Sequence, residues 1–330
     1  MIGKLNRLAL LTLSILGAAS LAALAQAQTY PSRQITIVVP FPAGAGPDVM
    51  ARLIGEQLAT RVSQPVIVEN RPGASGLVGA AVVAKAAPDG HQLLLTPNTL
   101  FIAPHVMPKG AKPPADVIGD FTAVIMPSQT AMVMVANPNL GVKTAKEFAA
   151  LAKTKPGMSF ASSGAGSVLH IAGELFAKSA GINLLHVPYR GIAPAINDVL
   201  AGHVQVTFSG IGPLRQHLAS GKLVALALVE NKRSAGLPDL PTAIEQGFND
   251  VAVDGWYSVL APRGTPEQTV AFLNREINAI VASPEVKSKI EAMGEIVLGG
   301  TPEAAAARIK GDYERYGAIV ERLKIVGEQQ

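Results

Sequence analysis

Short β-branched runs alternate with longer amphipathic stretches in the first part of the chain after its N-terminus. Three apolar runs have strand length, and the two segments between them have helical spacing: strands over 35–39, 65–69 and 91–95, helices over 48–61 and 76–86. This order predicts a parallel sheet with right-handed crossovers. The runs are continuously apolar, as expected where helices cover both faces of a sheet.

A second series of the same kind follows. It predicts strands over 131–136, 158–161, 183–187, 204–208 and 223–228, with helices over 144–153, 167–179, 195–201 and 213–219. A strand over 255–261 and helices over 266–282, 284–293 and 302–323 close the chain. The pattern predicts an α/β protein with two lobes, each a mainly parallel sheet flanked by helices.

Each of the last three helices is preceded by the same sequence signal. Thr265-Pro266-Glu267, Ser283-Pro284-Glu285 and Thr301-Pro302-Glu303 all offer a hydroxyl for the N-cap, proline at the first helical position and an acid in the first turn. The signal predicts where these helices begin and carries no information on function.

The N-terminus has the features of an export signal. Lys4 and Arg7 precede an apolar stretch of about 17 residues, which ends in Ala25-Gln26-Ala27. The stretch is rich in small residues and short for a membrane span, although an uncleaved anchor is the alternative. We predict a signal peptide over 1–27, cleaved after Ala27, and an exported mature protein.

Composition excludes several classes of function. The chain has 330 residues and no Cys, which rules out a disulfide framework, a thiolate metal site, a cysteine nucleophile and a lipidated N-terminal cysteine. The formal net charge is +4 and aromatic residues make up 5%, which argues against a nucleic-acid-binding protein.

Three strand-to-helix turns are rich in glycine or proline: turn 1 over 40–48 (PFPAGAGPD), turn 2 over 161–170 (ASSGAGSVLH) and turn 3 over 187–194 (VPYRGIAP). In open α/β sheets, ligands bind beyond the carboxyl ends of the strands. Glycine allows close approach to the backbone, and the helix that follows supplies unpaired N–H groups and a positive dipole end. Such turns can bind an anion without a charged side chain, or can be merely tight connections.

Turn 1 also resembles part of a dinucleotide-binding motif. Gly44 and Gly46 follow a strand, and Glu69 ends the next strand. The third glycine of that motif is replaced by Val49, and an exported protein meets little soluble dinucleotide. We therefore predict no cofactor.

The sequence contains no known catalytic or metal-binding motif. The six histidines, at 91, 105, 170, 186, 203 and 217, form no pair at helical spacing that would build a metal site. His170 is expected to pack or cap, and Asp48 to stabilise the start of its helix. The alternative to a binding protein is an exported hydrolase, with Ser163 or Ser167 as nucleophile and His170 as base.

These blocks resemble the Bug family of extracytoplasmic solute receptors, which serve tripartite tricarboxylate transporters of bacteria. The resemblance runs from Tyr30 to Lys324. It rests on turn 1 and on further collinear blocks: VENRPGA at 68–74, PDGH at 88–91, VPYRG at 187–191, AGHV at 201–204, ASGKL at 219–223, LPDLPT at 237–242 and LAPRGTP at 260–266.

The resemblance implies a Venus-flytrap receptor, not an enzyme, that works as a monomer. Its implied partners are a small, possibly aromatic, carboxylate or dicarboxylate and the inner-membrane subunits of the transporter. It implies lobe I over 28–126 and 252–330 and lobe II over 127–251. The implied ligand contacts come from turns 1, 2 and 3: Phe41, Pro42, Ala43, Gly44, Ala45, Ser163, Gly164, Ala165, Gly166, Ser167, Tyr189, Arg190, Gly191 and Ala193.

Turn 1 departs from the family pattern, which reads PAGGGTD in many relatives. Ala45 has less backbone freedom than the glycine of that pattern. Pro47 lacks both the backbone N–H and the hydroxyl that threonine would supply. The identity of the ligand therefore does not carry over from any relative. Arg190 offers a contact to a second carboxylate or is an ordinary surface residue.

Overall fold

The computed structural model describes residues 30–108, 110–234 and 237–325. The predicted signal peptide lies outside these residues. Within them the chain forms two β-sheets with helices packed around them.

The elements follow the predicted alternation. The strands are β1 (Ile35–Val39), β2 (Val66–Asn70), β3 (Gln92–Pro97), β4 (Phe121–Ile125), β5 (Ser128–Thr130), β6 (Met132–Ala136), β7 (Ser159–Ser162), β8 (Leu185–Pro188), β9 (Val206–Gly210), β10 (Val224–Leu228), β11 (Gly255–Pro262) and β12 (Glu295–Val297). The helices are α1 (Gly46–Val62), α2 (Leu77–Ala84), α3 (Thr99–Val106), α4 (Ala145–Thr154), α5 (Val168–Ala180), α6 (Ile192–Ala201), α7 (Arg215–Ala219), α8 (Glu267–Ala282), α9 (Pro284–Ala292) and α10 (Pro302–Leu323).

The predicted strands and helices all form, with ends shifted by a few residues. The sequence pattern missed α3, β4, β5 and β12. Helix α3 is apolar around its whole circumference and contains Pro104, so it has neither helical nor strand periodicity. Strands β5 and β12 have three residues each, too few for an alternation to be recognised.

The α/β class is confirmed, but the sheets are mixed rather than mainly parallel. The first sheet has the order β12-β5-β11-β3-β1-β2, with β4 also paired to β11, and the second has the order β10-β6-β9-β7-β8. Strands β2, β1 and β3 are parallel, as are β8, β7 and β9. The antiparallel pairs involve β11, β5 and β6, which lie next to the two points where the chain passes between the sheets. A strand that enters a sheet from the other lobe, without a crossover helix, is free to run in the opposite direction.

Helices α3 and α10 connect the cores of the two sheets. Ala305 and Ile309, near the start of α10, pack in a core of the first sheet, whereas Tyr316 and Val320 belong to the main core of the second. Val106 of α3 also belongs to that second core. The C-terminal helix therefore packs against the cores of both sheets.

Only one of the three similar helix starts is capped as predicted. The Thr301 hydroxyl accepts a hydrogen bond from the Ala304 N–H at 3.2 Å. The Ser283 hydroxyl instead donates to the carbonyl of Ile280, and Pro266 itself occupies the N-cap of α8. Pro266 has extended backbone angles (φ −55°, ψ 138°), so this helix begins one residue later than the signal suggested.

Candidate functional site

Turn 1 connects β1 to α1 and is closed by its own backbone. Gly44 has φ +79°, a conformation that favours glycine, and the Ala45 N–H donates to the carbonyl of Pro42 at 3.2 Å. The Pro42, Ala43 and Gly44 positions are exposed, and Phe41 and Ala45 are half-buried. Turn 1 therefore presents its backbone at the surface.

The buried Asp48 side chain stabilises turn 1 through hydrogen bonds. Its buried carboxylate accepts hydrogen bonds from the Gly44 N–H at 2.8 Å, from Arg52 at 3.0 Å and from Asn70 at 2.9 Å. Burial acts to raise the pKa of Asp48, but these hydrogen bonds together hold that pKa below its ordinary value. The expectation that Asp48 is structural is thus met. Because the Gly44 N–H donates to Asp48, it is not available to a ligand.

Turn 2 connects β7 to α5 and is similarly tied together. Gly164 (φ +135°) and Gly166 (φ +73°) both have positive φ values. The Ser167 hydroxyl accepts from the His170 N–H at 3.2 Å and caps α5, while the Ser162 hydroxyl donates to the Gly164 carbonyl at 3.0 Å. Ser163, Gly164 and Ala165 are half-buried, whereas Gly166 and Ser167 are buried.

His170 orients turn 2 and is not placed to act as a base. Its Nδ1 accepts from the Gly166 N–H at 3.0 Å, and its Nε2 lies 3.6 Å from a carboxylate oxygen of Glu174. Its ring stacks on His186 with centroids 3.7 Å apart. Both ring nitrogens are engaged away from Ser163 and Ser167, so this geometry gives no support to the hydrolase alternative.

His186 lies beneath turn 2 in its neutral form. Burial, together with the neighbouring His170, lowers the pKa of His186 to about 3. Its Nε2 is 2.7 Å from the Ser162 hydroxyl, which links strand β8 to the start of turn 2. The neutral His186 ring therefore supports the turn without adding a positive charge to it.

Turn 3 connects β8 to α6 beside turn 2. The Tyr189 N–H donates to the Ser162 carbonyl at 3.0 Å, and the Tyr189 hydroxyl donates to Asp198 at 2.5 Å. Burial and this hydrogen bond raise the pKa of Tyr189 to about 12. The hydroxyl of this predicted site residue is therefore engaged by Asp198 of α6.

The other predicted residues of turn 3 are accessible. Gly191 (φ +107°) is the N-cap of α6, and Arg190 and Ala193 are exposed. The Arg190 guanidinium makes no ion pair or hydrogen bond within the three described stretches of the chain.

Helix α3, which the sequence pattern missed, lies between turns 1 and 2. Near its start, Leu100 and the ring of Phe41 both pack around Gly76: a β-carbon added to Gly76 would be 3.5 Å and 3.4 Å from them. At its end, Val106 packs against Gly166 so closely that a β-carbon there would overlap it. Helix α3 thus contacts Gly166 of turn 2 directly and approaches Phe41 of turn 1 through Gly76.

Several donors at these turns have no partner among the described residues. They are the backbone N–H groups of Ala43 and Gly46 in turn 1, those of Ser163 and Ala165 in turn 2, and the Ser163 hydroxyl. Unpaired N–H groups at helix starts favour an anion, because the helix dipole adds to their partial positive charge. In chemical terms the turns can hold a carboxylate.

Sequence reasoning missed Tyr257 of β11. A β-carbon added to Gly46 would overlap the Tyr257 hydroxyl, so this side chain reaches the first residue of α1. The sequence carries only a weak signal for it, a polar-tipped aromatic residue within an apolar run. Its closeness to Gly46 depends on the pairing of β11 with β3, which the sequence does not specify.

Neither a metal site nor a membrane-spanning helix is found among the described residues. No group of three or more His, Asp and Glu side chains is arranged to hold a metal ion in the stretches between Tyr30 and Ile325 that the structure covers. In those same stretches, no helix has the length and apolar character needed to cross a membrane.

Comparison with solved structures places the chain among periplasmic binding proteins. It is similar to the periplasmic binding protein BugD (31% identity, TM-score 0.80), covering 91% of this chain and 100% of that one. It is also similar to Rpa4515 of R. palustris, solved with adipate (30%, TM-score 0.83; 90% and 99% covered). A third is MatC of Rhodopseudomonas palustris, solved with malate (30%, TM-score 0.78; 88% and 100% covered). These similarities confirm the two-lobed fold and the resemblance to Bug proteins.

The model of one protein family matches residues 50–325, which is most of the chain. The matched segment includes turns 2 and 3 and the part of α1 that follows turn 1. The chain belongs to the tripartite tricarboxylate transporter receptor family, to which its fold and its glycine-rich turns had pointed.

Proposed function

We propose that this protein is a periplasmic receptor that binds a small organic carboxylate or dicarboxylate between its lobes and delivers it to the membrane subunits of a tripartite transporter. The observation that carries the proposal is the set of unpaired N–H donors at turns 1 and 2, together with an acid, Asp48, whose charge is already satisfied. Relatives solved with adipate and malate support the same ligand class.

The proposed site combines both lobes. Lobe I would comprise 28–126 and 252–330, and lobe II 127–251, although β5 of the latter range pairs within the first sheet. The proposed contacts are those of turns 1, 2 and 3: Phe41, Pro42, Ala43, Gly44, Ala45, Ser163, Gly164, Ala165, Gly166, Ser167, Tyr189, Arg190, Gly191 and Ala193. Gly44 and Tyr189 would contribute shape rather than a donor, because their N–H and hydroxyl groups are engaged.

Backbone donors are sufficient for the affinity that a scavenging receptor needs. Binding with a micromolar Kd requires about −8 kcal/mol. Hydrogen bonds to a charged group contribute about 1.5–3 kcal/mol each, and a helix N-terminus adds about 0.3–2 kcal/mol. Four to six such contacts, roughly the number of free donors here, reach this value after ordering costs. Arg190 would add a contact to the second carboxylate of a dicarboxylate.

The proposal also covers the processing and state of the mature protein. The signal peptide would be cleaved after Ala27, leaving a monomer without a lipid anchor, a cofactor or catalytic activity. BugD, a relative, is a periplasmic binding protein, which supports this location.

Ligand screening tests the proposal. The mature chain, residues 28–330, is titrated with malate, adipate, succinate, glutarate, citrate and benzoate while the melting temperature is followed. Saturating ligand at about 100 times Kd should stabilise the fold by about 2.7 kcal/mol. Mass spectrometry of the recovered ligand is the control: chemical conversion of any bound compound would contradict a pure receptor, and no stabilisation by any of them would contradict the proposed ligand class.

A further inference from the structure

Tyr257 is the residue outside the three turns whose surroundings point to a role in the site. Its hydroxyl abuts Gly46, the first residue of α1, where the backbone leaves just enough room because glycine has no β-carbon. No residue in the described parts of the chain forms a hydrogen bond with this hydroxyl. Tyr257 is half-buried and its hydroxyl is not one of the buried atoms without a partner, so water or a ligand can reach this hydroxyl and complete its hydrogen bonding.

Turn 1 has few donors of its own near this point. Its N–H groups at Gly44, Ala45 and Asp48 are used internally, and Pro42 and Pro47 have none. A carboxylate that binds at the start of α1 therefore finds the N–H groups of Ala43 and Gly46. The adjacent side chain that can donate to the same anion is Tyr257.

The chemistry of the hydroxyl fits this role. Burial raises the pKa of Tyr257 well above its ordinary value, and the nearby Glu295 carboxylate adds to the effect. The hydroxyl therefore keeps its proton at any physiological pH and can act as a donor to an anion. The ring is held by packing against the core between the first sheet and α1, so little conformational entropy is lost on binding.

We propose that the Tyr257 hydroxyl donates a hydrogen bond to the ligand carboxylate at the N-terminus of α1, beside the backbone N–H of Gly46. This proposal rests on the proposed function and identifies the lobe I side chain that positions the anion. Glycine at position 46 would then be required to let the hydroxyl reach the helix start.

The test compares Tyr257→Phe with the wild-type protein, using whichever of malate, adipate, succinate and glutarate the wild type binds. Loss of one hydrogen bond to a charged group should weaken binding about ten- to hundredfold. The melting temperature without ligand should change little, and the near-ultraviolet tyrosine difference signal on ligand binding should be weaker than in the wild type, with Tyr189 of turn 3 still contributing. Tyr313→Phe is the matched control, since Tyr313 lies on α10 beside His105, and its affinity should equal that of the wild type.

A second pair of variants tests the contact itself. In Gly46→Ala the new β-carbon would overlap the Tyr257 hydroxyl, but it would lie 3.5 Å from the ring carbon that bears this hydroxyl. Gly46→Ala should therefore lower the melting temperature and the affinity in the wild-type background, and should lower the melting temperature much less in the Tyr257→Phe background.

The outcomes separate the two proposals. If the wild type binds none of the four dicarboxylates, the proposed function fails for this class and the Tyr257 contact fails with it. If the wild type binds and Tyr257→Phe binds equally well, only the role of Tyr257 is overturned.

Discussion

Gly44 and Gly157 both adopt a positive φ, but only Gly44 lies in one of the three proposed ligand-binding turns. Both have positive φ values, +79° and +84°, and at both a β-carbon would meet no atom within 4 Å. Gly44 lies in turn 1, after the carboxyl end of a strand, whereas Gly157 precedes β7 at its opposite end. Substitution at the two sites therefore imposes the same strain but only one of them lies at the proposed site.

We predict that Gly44→Val abolishes carboxylate binding and that Gly157→Val preserves it. Each should lose about 1–2 kcal/mol of unfolding free energy, because an L-residue is strained in the left-handed region. At Gly44 the branched side chain would project from turn 1 into open space beside the proposed anion site. Urea denaturation and calorimetric titration measure the two effects separately. Normal affinity of Gly44→Val would show that the anion binds elsewhere.

At the scale of elements, the two short strands β5 and β12 bury an acid where the chain passes between the sheets. Glu295 of β12 is paired with Thr130 and accepts a hydrogen bond from Ser128 at 3.0 Å. Burial raises the pKa of Glu295 from 4.5 to about 7, although the Ser128 hydrogen bond acts in the opposite direction. Glu230, after β10, accepts from the Met132 N–H on the neighbouring strand at 3.3 Å, and burial likewise raises the pKa of Glu230 to about 7.

The raised pKa values of Glu295 and Glu230 predict that the unfolding free energy falls as pH rises. In the folded state Glu295 keeps its proton up to about pH 7, whereas in the unfolded chain it ionises near its ordinary value of 4.5. Between these values the folded protein binds more protons, so its unfolding free energy falls with increasing pH. The contribution is fully present below about pH 4.5 and is lost as pH passes through about 7.

Glu295→Gln removes the titration and keeps an acceptor for Ser128. The difference in unfolding free energy between pH 5 and pH 8 should be smaller in this variant by about 1–3 kcal/mol. Urea denaturation at the two pH values measures it, with Glu314→Gln, on the exposed face of α10, as the matched control. An unchanged pH dependence in Glu295→Gln would mean that the carboxyl group is not held protonated by the fold.

At the scale of the whole molecule, α10 joins the two halves through a cluster of charges. Asp312 accepts from the Trp256 indole at 2.6 Å and pairs with Arg308 and Arg315 at 3.0 Å and 3.2 Å. Both arginines also pair with Asp254, in the segment that leads back into the first sheet. The helix thus holds the return crossing of the chain in place while its later residues pack in the core of the second sheet.

We predict that Asp312→Ala destabilises the protein by about 1–3 kcal/mol, because the buried Trp256 indole N–H would lose its acceptor, while the two half-exposed arginines keep Asp254 as a partner. Trp256 is the only tryptophan in the sequence, so its fluorescence reports unfolding at this junction directly. Asp250→Ala is the control: Asp250 is mostly exposed and pairs loosely with Arg322 at 3.6 Å, so less than about 1 kcal/mol should be lost. Equal effects of the two substitutions would contradict a structural role for the cluster.

Local sequence patterns determined most of the elements and the nature of the binding chemistry. Apolar runs at 35–39 or 131–136 are long enough to form a strand by themselves, and glycine at 44 and 164 was recognisable because left-handed or strained turns require it. The glycine-rich turns at helix starts already indicated that an anion could be bound by backbone N–H groups. These properties depend on neighbours in the sequence, so the sequence alone carries them.

Contacts between distant segments decided the rest. Helix α3 forms where both of its sides are buried, in cores of the two sheets. Tyr257 reaches Gly46 only through the pairing of β11 with β3. The Gly44 N–H donates to Asp48 because turn 1 folds back on itself. The mixed sheets and the path of α10 across both cores have the same origin. Each depends on strand order and packing over long separations in the chain, and short-range periodicity contains no information about either.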